Sequence, residues 1–217
     1  MIKSMTEINK MVISAYDKIA DAYADAYANN DESDFKYFNC FFEHLPGKRI
    51  LDMGCGVGTN SSFMAQEGYN VLGVDASEKM LENARKLYPG LTFEQHDILK
   101  LPYPDQSFDG IVLAYVIEHF NSAGLAQLKI EISRLLVDDG LLYITSHEGN
   151  SEEIVPDPLD DDVSIYYNFI SVNTVKELFS DYTPLCICSR ASYGPEEFLN
   201  DKMFITLKKE GRKNDAT

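Results

Sequence analysis

The sequence predicts an α/β fold in which a mostly parallel, doubly wound sheet is covered by helices. Short apolar runs typical of buried parallel strands alternate along the chain with longer amphipathic segments typical of helices. A glycine-rich turn directly follows the first of these runs. At 217 residues and 45% hydrophobic content, the chain is long enough for one domain with a sizeable core. We therefore expect a single domain over residues 1–217.

Residues 1–45 are predicted to form a helical cap. Tyr16, Tyr23 and Tyr27 are spaced seven and four apart, so they share one face of a helix. On periodicity alone, such an aromatic stripe is typical of a helix that packs on a core. A second helix is predicted over Phe35–His44, before Pro46 and Gly47 lead into the first strand.

The most informative stretch begins with the first strand. Arg49–Met53 is a short apolar run that ends in an acid, Asp52, as a buried parallel strand would. The segment Gly54–Gly58 then allows the backbone to turn tightly and to approach a ligand without Cβ clashes. Thr59 or Asn60 can cap the helix that follows, and the free N–H groups of that end favour an anionic group.

A second acid follows the next strand. Gly68 ends the helix, and Tyr69–Val74 is a strand that runs directly into Asp75. A carboxylate at this place can accept hydrogen bonds from both hydroxyls of a ribose. The unit is therefore predicted to bind an adenosine-containing ligand. The third glycine of a dinucleotide fingerprint would fall at Thr59, so binding of NAD is an alternative with weaker support.

The rest of the chain continues the alternation. A helix capped by Ser77 is followed by a third strand at Leu91–Gln95 and a fourth at Phe108–Tyr115. The later predicted elements are a helix at Ser122–Leu136, a fifth strand at Leu141–Ser146, and two further strands at Thr183–Arg190 and Lys202–Lys208. Between them, two prolines and Asp160–Asp162 oppose a regular element. Residues 151–168 are thus expected to form an acidic loop or lid.

Charge and cysteine usage exclude several classes of protein. With 19 basic and 35 acidic residues, the net charge of −16 disfavours nucleic acids as partners. No apolar run is long enough to span a membrane, and the N-terminus lacks the apolar segment of a secretory signal. The four cysteines show neither zinc spacing nor a redox motif, and Cys186 and Cys188 are expected to be core thiols on one strand face. These features predict a cytoplasmic protein.

Several motifs resemble one family. The pattern Asp-x-Gly-x-Gly-x-Gly from Asp52, with Asp75 after the next strand, is similar to motif I of class I S-adenosylmethionine (SAM) dependent methyltransferases. "YDKIADAYADAY", Asp97-Ile98, "LPYPDQSFD" and "LLVDDGLLYIT" also resemble segments of this family, in its small-molecule, ubiquinone- and menaquinone-type group. The resemblance covers roughly residues 15–208. It implies a Rossmann-like sheet of seven strands in the order 3-2-1-4-5-7-6, with strand 7 antiparallel.

The resemblance also implies which residues hold SAM. Residues 46–150 would be the cofactor-binding core, and 169–209 the C-terminal helix and strands. Asp97 would accept from the adenine amino group while the N–H of Ile98 donates to the ring. The tyrosine stripe would then lie over the pocket. The implied cofactor contacts are Tyr16, Tyr23, Asp52, Gly54, Cys55, Gly56, Gly58, Asn60, Asp75, Ala76, Met80, Asp97, Ile98 and Ala114.

The implied reaction moves the methyl group of SAM to a small-molecule O-, N- or C-nucleophile and leaves S-adenosylhomocysteine. A base is needed where the acceptor carries a proton, and Glu118, His119 and His147 follow strand ends where open α/β sheets bind ligands. Glu118-His119 resembles the E-x-x-E-H segment of ubiquinone-pathway O-methyltransferases. Because Tyr115 replaces the first acid of that segment, no metal is expected.

Two other functions are compatible with the same residues. One is an NAD-type oxidoreductase, and the other is a non-catalytic SAM-binding protein that lacks an acceptor site. The aromatic residues near the expected pocket mouth, Tyr16, Tyr23, His147 and Tyr166 or Tyr167, suit a small apolar or cationic acceptor. We expect a monomer or homodimer with no nucleic-acid or membrane partner.

Overall fold

The computed structural model describes residues 4–27, 32–191 and 201–211, and it confirms the predicted α/β fold. Residues 1–3 and 28–31 of the predicted cap lie outside the described part of the chain. The helices are α1 (Met5–Tyr27), α2 (Asn39–His44), α3 (Thr59–Gln66), α4 (Glu78–Leu87), α5 (Ser122–Leu135) and α6 (Val172–Leu178). The strands are β1 (Arg49–Met53), β2 (Asn70–Asp75), β3 (Thr92–Gln95), β4 (Phe108–Ala114), β5 (Leu136–His147), β6 (Ser151–Asp157), β7 (Asp160–Phe169), β8 (Tyr182–Arg190) and β9 (Lys202–Lys209).

Seven strands form one sheet in the order β3-β2-β1-β4-β5-β9-β8. The first five are parallel, whereas β9 runs antiparallel to both β5 and β8. Once the separate β6–β7 pair is left out of the numbering, this is the predicted order with the last strand antiparallel. The strand order reverses between β1 and β4, and open α/β sheets bind ligands beyond the carboxyl ends of the strands at such a point.

The two faces of the sheet are covered by different helices because successive strand residues point to opposite sides. Leu51 and Leu113 belong to the cluster that contains the buried side of α5 and the Val175 of α6. Their neighbours Ile50 and Val112 instead pack with α2 and α3 through an aromatic cluster. Burial on both faces explains why these strands are nearly continuous apolar runs.

Helix α1 lies over the sheet's ligand-binding end and is held there by α4 and β7. Its buried side chains include Ile8, Ala15 and Ile19. Polar contacts fix it to α4, since the Ser77 hydroxyl donates to Asp17 at 2.6 Å and the Asn83 amide donates to Asp21 at 2.9 Å. The tyrosine-bearing helix therefore covers this end of the sheet. None of the described helices has the length and apolar character needed to cross a bilayer.

The expectation of an irregular acidic loop over 151–168 is wrong, because this segment forms the β6–β7 hairpin. Val163, Ile165 and Tyr167 alternate along β7 and pack against α1. The apolar face of β7 is therefore stabilised by tertiary contacts that local sequence rules do not reveal. The acidic Asp160–Asp162 lie at the exposed start of β7. Pro156 is tolerated because β6 pairs only with β7 among the described strands.

The cysteines also differ from expectation. Cys40 of α2 and Cys186 of β8 form a disulfide, so Cys186 is not a core thiol. Cys188 is an exposed free cysteine and Cys55 a buried one. The reason is topological, because β8 is the edge strand of the sheet and its side chains are less covered than those of the inner strands.

Two predicted elements have different boundaries in the structure. The helix expected at Phe35–His44 is a 3-10 segment, Glu32–Phe38, followed by the shorter α2. Strand β5 begins at Leu136, directly after α5 and before the predicted start at Leu141, and its pairing with β4 is irregular between these two residues. Asp139 has a positive φ of 62° there, which lets the chain bend without leaving the sheet.

Candidate active site

A pocket lies beneath α1 at the carboxyl ends of the central parallel strands. Its walls come from the glycine turn after β1, the end of β2, the start of α4, the segment after β3 and the end of β4. The residues that line it are Asn9, Val12, Ile13, Tyr16, Tyr23, Gly54, Gly56, Asp75, Ala76, Ser77, Met80, Asp97, Ile98, Ala114, Tyr115, Val116, His119 and Phe120.

Most of the predicted site residues meet at this pocket. Those on its walls are Tyr16, Tyr23, Gly54, Gly56, Asp75, Ala76, Met80, Asp97, Ile98, Ala114 and His119. Other predicted residues are outside the lining set, namely Asp52, Cys55, Gly58, Asn60, Glu118 and His147. The predicted site residues therefore fall into two groups, those that line the pocket and those that lie outside its lining.

Gly54 and Gly56 of the turn meet different structural requirements. Both have positive φ, 75° for Gly54 and 53° for Gly56. A Cβ on Gly54 would come within 2.5 Å of the Val116 side chain, so this glycine permits close packing of the turn on the segment after β4. A Cβ on Gly56 would meet no atom of the described residues within 4 Å. Gly56 therefore leaves open space in the pocket.

Asp75 is held in place by the turn that it faces. Its Oδ2 accepts a hydrogen bond from the Gly56 N–H at 2.8 Å, and its Oδ1 accepts one from the Ser77 N–H at 2.9 Å. Burial raises the pKa of Asp75, while the backbone hydrogen bonds act in the opposite direction. Each carboxylate oxygen can accept more than one hydrogen bond. The group is thus oriented and still able to bind two hydroxyls.

Asp52 lies behind the glycine turn and is 1% exposed. The Ser61 hydroxyl donates to its Oδ2 at 2.6 Å, whereas Oδ1 has no hydrogen-bond partner among the described residues. Burial raises the pKa of Asp52 to about 7, against the lowering effect of the Ser61 hydrogen bond. An unpartnered buried carboxylate oxygen is costly, and a cationic group near the turn would stabilise it. The amino group of SAM has this charge, so Asp52 fits the predicted cofactor.

Asp97 and Ile98 line the pocket from the segment after β3. The Leu99 N–H donates to Asp97 Oδ1 at 2.9 Å, which fixes the carboxylate at the start of its turn. Ile98 is buried, whereas Asp97 is exposed. An apolar side chain next to an accessible acceptor suits a flat heteroaromatic ring that carries an amino group.

His119 is bound through both ring nitrogens. It lies in the 3-10 segment Ile117–His119 after β4. Its Nδ1 is 3.0 Å from the Tyr166 carbonyl oxygen and its Nε2 is 2.9 Å from the Tyr16 hydroxyl. Because a carbonyl only accepts, Nδ1 carries the proton, and the neutral ring accepts from Tyr16 at Nε2. Burial lowers the pKa of His119, with Glu118 opposing this shift.

Glu118 and His147 form a separate buried pair beside this segment. Glu118 Oε2 accepts from the Ser146 hydroxyl and from the His147 N–H, and Oε1 lies 3.1 Å from His147 Nδ1. Burial acts to raise the pKa of Glu118, but the hydrogen bonds and the nearby imidazoles bring it below its usual value. Glu118 is therefore an anion that joins the His119 segment to the end of β5.

Several wall residues were not predicted from the sequence. Asn9, Val12 and Ile13 come from the first half of α1, and Tyr115 and Phe120 flank the turn after β4. A signal was present for the helix, because Val12 precedes Tyr16 by four residues and so shares the face of the tyrosine stripe. Tyr115 has a positive φ of 57°, a conformation that its sequence context does not indicate.

Comparison with known proteins agrees with this geometry. Residues 50–140 match the sequence model of a methyltransferase domain family. A demethylmenaquinone methyltransferase of Beutenbergia cavernae is 33% identical over 85 residues, which is 38% of this chain and 35% of that protein. The methyltransferase YcgJ of Bacillus subtilis is 29% identical over 149 residues, or 64% of this chain and 56% of that one. The chain thus spans about a third to just over half of these curated relatives.

A solved structure extends the similarity to nearly the whole chain. The 1,6-didemethyltoxoflavin-N1-methyltransferase of Burkholderia thailandensis, solved with its substrate and S-adenosylhomocysteine, has a TM-score of 0.76 and 16% identity. The alignment covers 97% of this chain and 92% of that one. Residues 50–140 therefore resemble a methyltransferase domain, and the described chain has the fold of this solved methyltransferase. The predicted resemblance to SAM-dependent methyltransferases is confirmed by these matches, and the solved neighbour binds the product of the predicted cofactor.

Replacing Gly56 by alanine is expected to weaken S-adenosylhomocysteine binding at least about tenfold, because the new Cβ enters the open pocket and the residue must keep a positive φ. The cost to folding should be only about 1–2 kcal/mol. Calorimetric titration and thermal unfolding check the two effects separately. Gly90→Ala is the matched control, since its Cβ would also meet nothing within 4 Å but Gly90 lies outside this pocket. If Gly56→Ala and wild type bound S-adenosylhomocysteine equally well, the assignment of this pocket as the cofactor site would be contradicted.

Proposed function

We propose that the whole chain transfers the methyl group of SAM to a small-molecule O-, N- or C-nucleophile and releases S-adenosylhomocysteine. The observation that carries the proposal is the pocket itself. Beyond the carboxylates suited to an adenosine moiety, the pocket continues to a wall of apolar and aromatic side chains from α1 and from the turn after β4. Val12, Ile13 and Phe120 of this wall have no polar side-chain group with which to hold the cofactor, and they suit an acceptor.

The cofactor would be held by residues that are already oriented. Asp75 would bind the ribose hydroxyls, and Asp97 with the N–H of Ile98 would bind the adenine. The backbone of Gly54 and Gly56, with Asp52 behind it, would accommodate the methionine part. When bound, SAM supplies an activated methyl group on a sulfonium. The chain's own contribution is to hold the acceptor near and in line with that group, which can supply several kcal/mol.

Small metabolites are favoured over macromolecules as acceptors. Among the described residues that line the pocket there is no lysine or arginine, and the chain's net charge is −16. Such a field opposes polyanions. The relatives are named for acceptors of low molecular weight, a demethylmenaquinone in one case and a toxoflavin precursor in another. We also propose that the enzyme is a monomer or homodimer of the cytoplasm. The Cys40–Cys186 disulfide is a feature more typical of an oxidising compartment.

The test is incubation of the protein with SAM that carries a labelled methyl group and with a cell extract separated into small-molecule and nucleic-acid fractions. Label is expected in the small-molecule fraction together with S-adenosylhomocysteine. Heat-treated protein serves as the control for non-enzymatic methylation. Label found chiefly in RNA or DNA, or no transfer at all, would overturn the proposal.

A further inference from the structure

The tyrosines of the cap are not equivalent, although the sequence suggests one common role over the cofactor. Tyr16 and Tyr23 both line the pocket, and their ring centroids are 6.1 Å apart. Tyr16 has an additional contact, because its hydroxyl lies 2.9 Å from Nε2 of His119. This contact joins the first helix of the chain to the turn after β4, 103 residues later.

The direction of the hydrogen bond follows from the other side of the ring. His119 Nδ1 faces the Tyr166 carbonyl at 3.0 Å and must donate there. In the neutral ring Nε2 is then an acceptor, and the Tyr16 hydroxyl donates to it. The side chain of Tyr167 also hydrogen-bonds Tyr16, so the methyl acceptor would replace Tyr167 at the second lone pair of the Tyr16 oxygen.

We propose that Tyr16 is a catalytic residue that takes the proton of the methyl acceptor and passes its own proton to His119. The inference rests on the proposed function and makes it more specific. It requires an acceptor with an O–H or N–H proton to lose, as in a phenol, an enol or an amine, rather than a tertiary amine or a thioether.

The step balances without any further reagent. The acceptor's oxygen or nitrogen forms a bond to the methyl carbon while the carbon–sulfur bond of SAM breaks, and the sulfur keeps that electron pair as a neutral thioether. The acceptor's proton moves to the Tyr16 oxygen, and the Tyr16 proton moves to His119 Nε2. The resulting imidazolium returns its proton to solvent after the product leaves.

The surroundings favour transfer through Tyr16 over a free phenolate. Burial raises the pKa of Tyr16 well above its usual value, so the hydroxyl can lose its proton only as it gains another. A cation on His119 is stabilised by the Tyr166 carbonyl and by the Glu118 anion, which is 1% exposed. The other groups that face His119 are Tyr167 of β7 and His147 of β5.

The decisive comparison is between Tyr16→Phe and Tyr27→Phe. Tyr27 is on the same helix but outside the pocket, so its variant controls for loss of a hydroxyl from the cap. Initial rates are measured at saturating SAM with the small-molecule fraction that the wild type methylates. Because general acid–base groups contribute about 10²–10⁴-fold, Tyr16→Phe should be at least roughly 100-fold slower, and Tyr27→Phe should resemble wild type. Affinity for S-adenosylhomocysteine should change less than about threefold in Tyr16→Phe, since its ring is retained.

A pH profile tests His119 independently of how well Tyr16→Phe folds. The neutral ring is needed, so the wild-type rate should fall as the pH drops through the His119 pKa, which burial places below its usual value. His119→Gln should be slow and should lack this acidic limb. Rates of Tyr16→Phe equal to those of Tyr27→Phe, or an acidic limb retained in His119→Gln, would overturn the relay while leaving the proposed function intact. A wild type that methylates no small molecule would overturn both.

Discussion

Replacing Asp75 by alanine is expected to weaken S-adenosylhomocysteine binding by at least about tenfold. The carboxylate is fixed by the Gly56 and Ser77 N–H groups, and its remaining lone pairs would accept from the ribose hydroxyls. Hydrogen bonds to charged groups are worth roughly 1.5–3 kcal/mol each, and about 1.4 kcal/mol corresponds to tenfold in affinity. Calorimetric titration of the purified variant with S-adenosylhomocysteine measures the effect.

The same titration on Asp97→Ala provides a comparison within the pocket. Asp97 is exposed, so water can replace part of what it contributes, and its effect should be smaller than that of Asp75. Thermal unfolding without ligand separates loss of binding from loss of fold. An affinity change below about twofold for Asp75→Ala would show that this carboxylate does not hold the ribose.

The second large effect concerns the disulfide between the cap and the sheet edge. Cys40 and Cys186 are separated by 146 residues, and cross-links that close loops of about 100 residues stabilise by up to roughly 4–5 kcal/mol. Cys40→Ser should therefore lose about 3–5 kcal/mol of unfolding free energy under non-reducing conditions. For a chain of this size the melting temperature should fall by about 10 °C.

Two controls accompany this measurement. Cys188→Ser removes an exposed free thiol from the same strand and should melt like wild type. With reductant present, Cys40→Ser and wild type should melt at similar temperatures. If the two proteins melted together under non-reducing conditions as well, the cross-link would contribute nothing to stability.

The sheet could be predicted well because its signals are local. Arg49–Met53 and Phe108–Ala114 are short runs rich in apolar residues, and Gly54 directly follows the first of them. Parallel strands buried on both faces leave little choice of residue, so their composition is informative. The strand order came from the family resemblance, and the structure agrees with it.

The hairpin and the disulfide could not be predicted because both depend on distant contacts. The apolar residues of β7 alternate, but the acidic residues and prolines around them favour a loop when the segment is considered alone. Only the presence of α1 gives Ile165 and Tyr167 a surface to cover. In the same way, Cys40 and Cys186 have no sequence spacing that suggests pairing, and they meet because α2 packs beside β8.

In the candidate site, too, the residues that follow directly from local sequence signals were predicted better than those that depend on tertiary structure. Asp75, Asp97 and the glycine turn follow directly from strand ends, and all lie on the pocket wall. Of the three proposed catalytic groups, His119 lines the pocket, whereas Glu118 and His147 bind each other behind it. Sequence could place all three after strand ends, but the direction of a side chain after β4 depends on a turn with Tyr115 at positive φ.

A crystal structure of the protein with S-adenosylhomocysteine tests the account most directly. We expect the ribose hydroxyls within hydrogen-bond distance of Asp75 and the adenine beside Asp97 and Ile98. We also expect the sulfur to face the space in front of the Tyr16 hydroxyl, with Tyr16 still bound to His119. A ligand bound elsewhere, or a sulfur directed away from Tyr16, would contradict it.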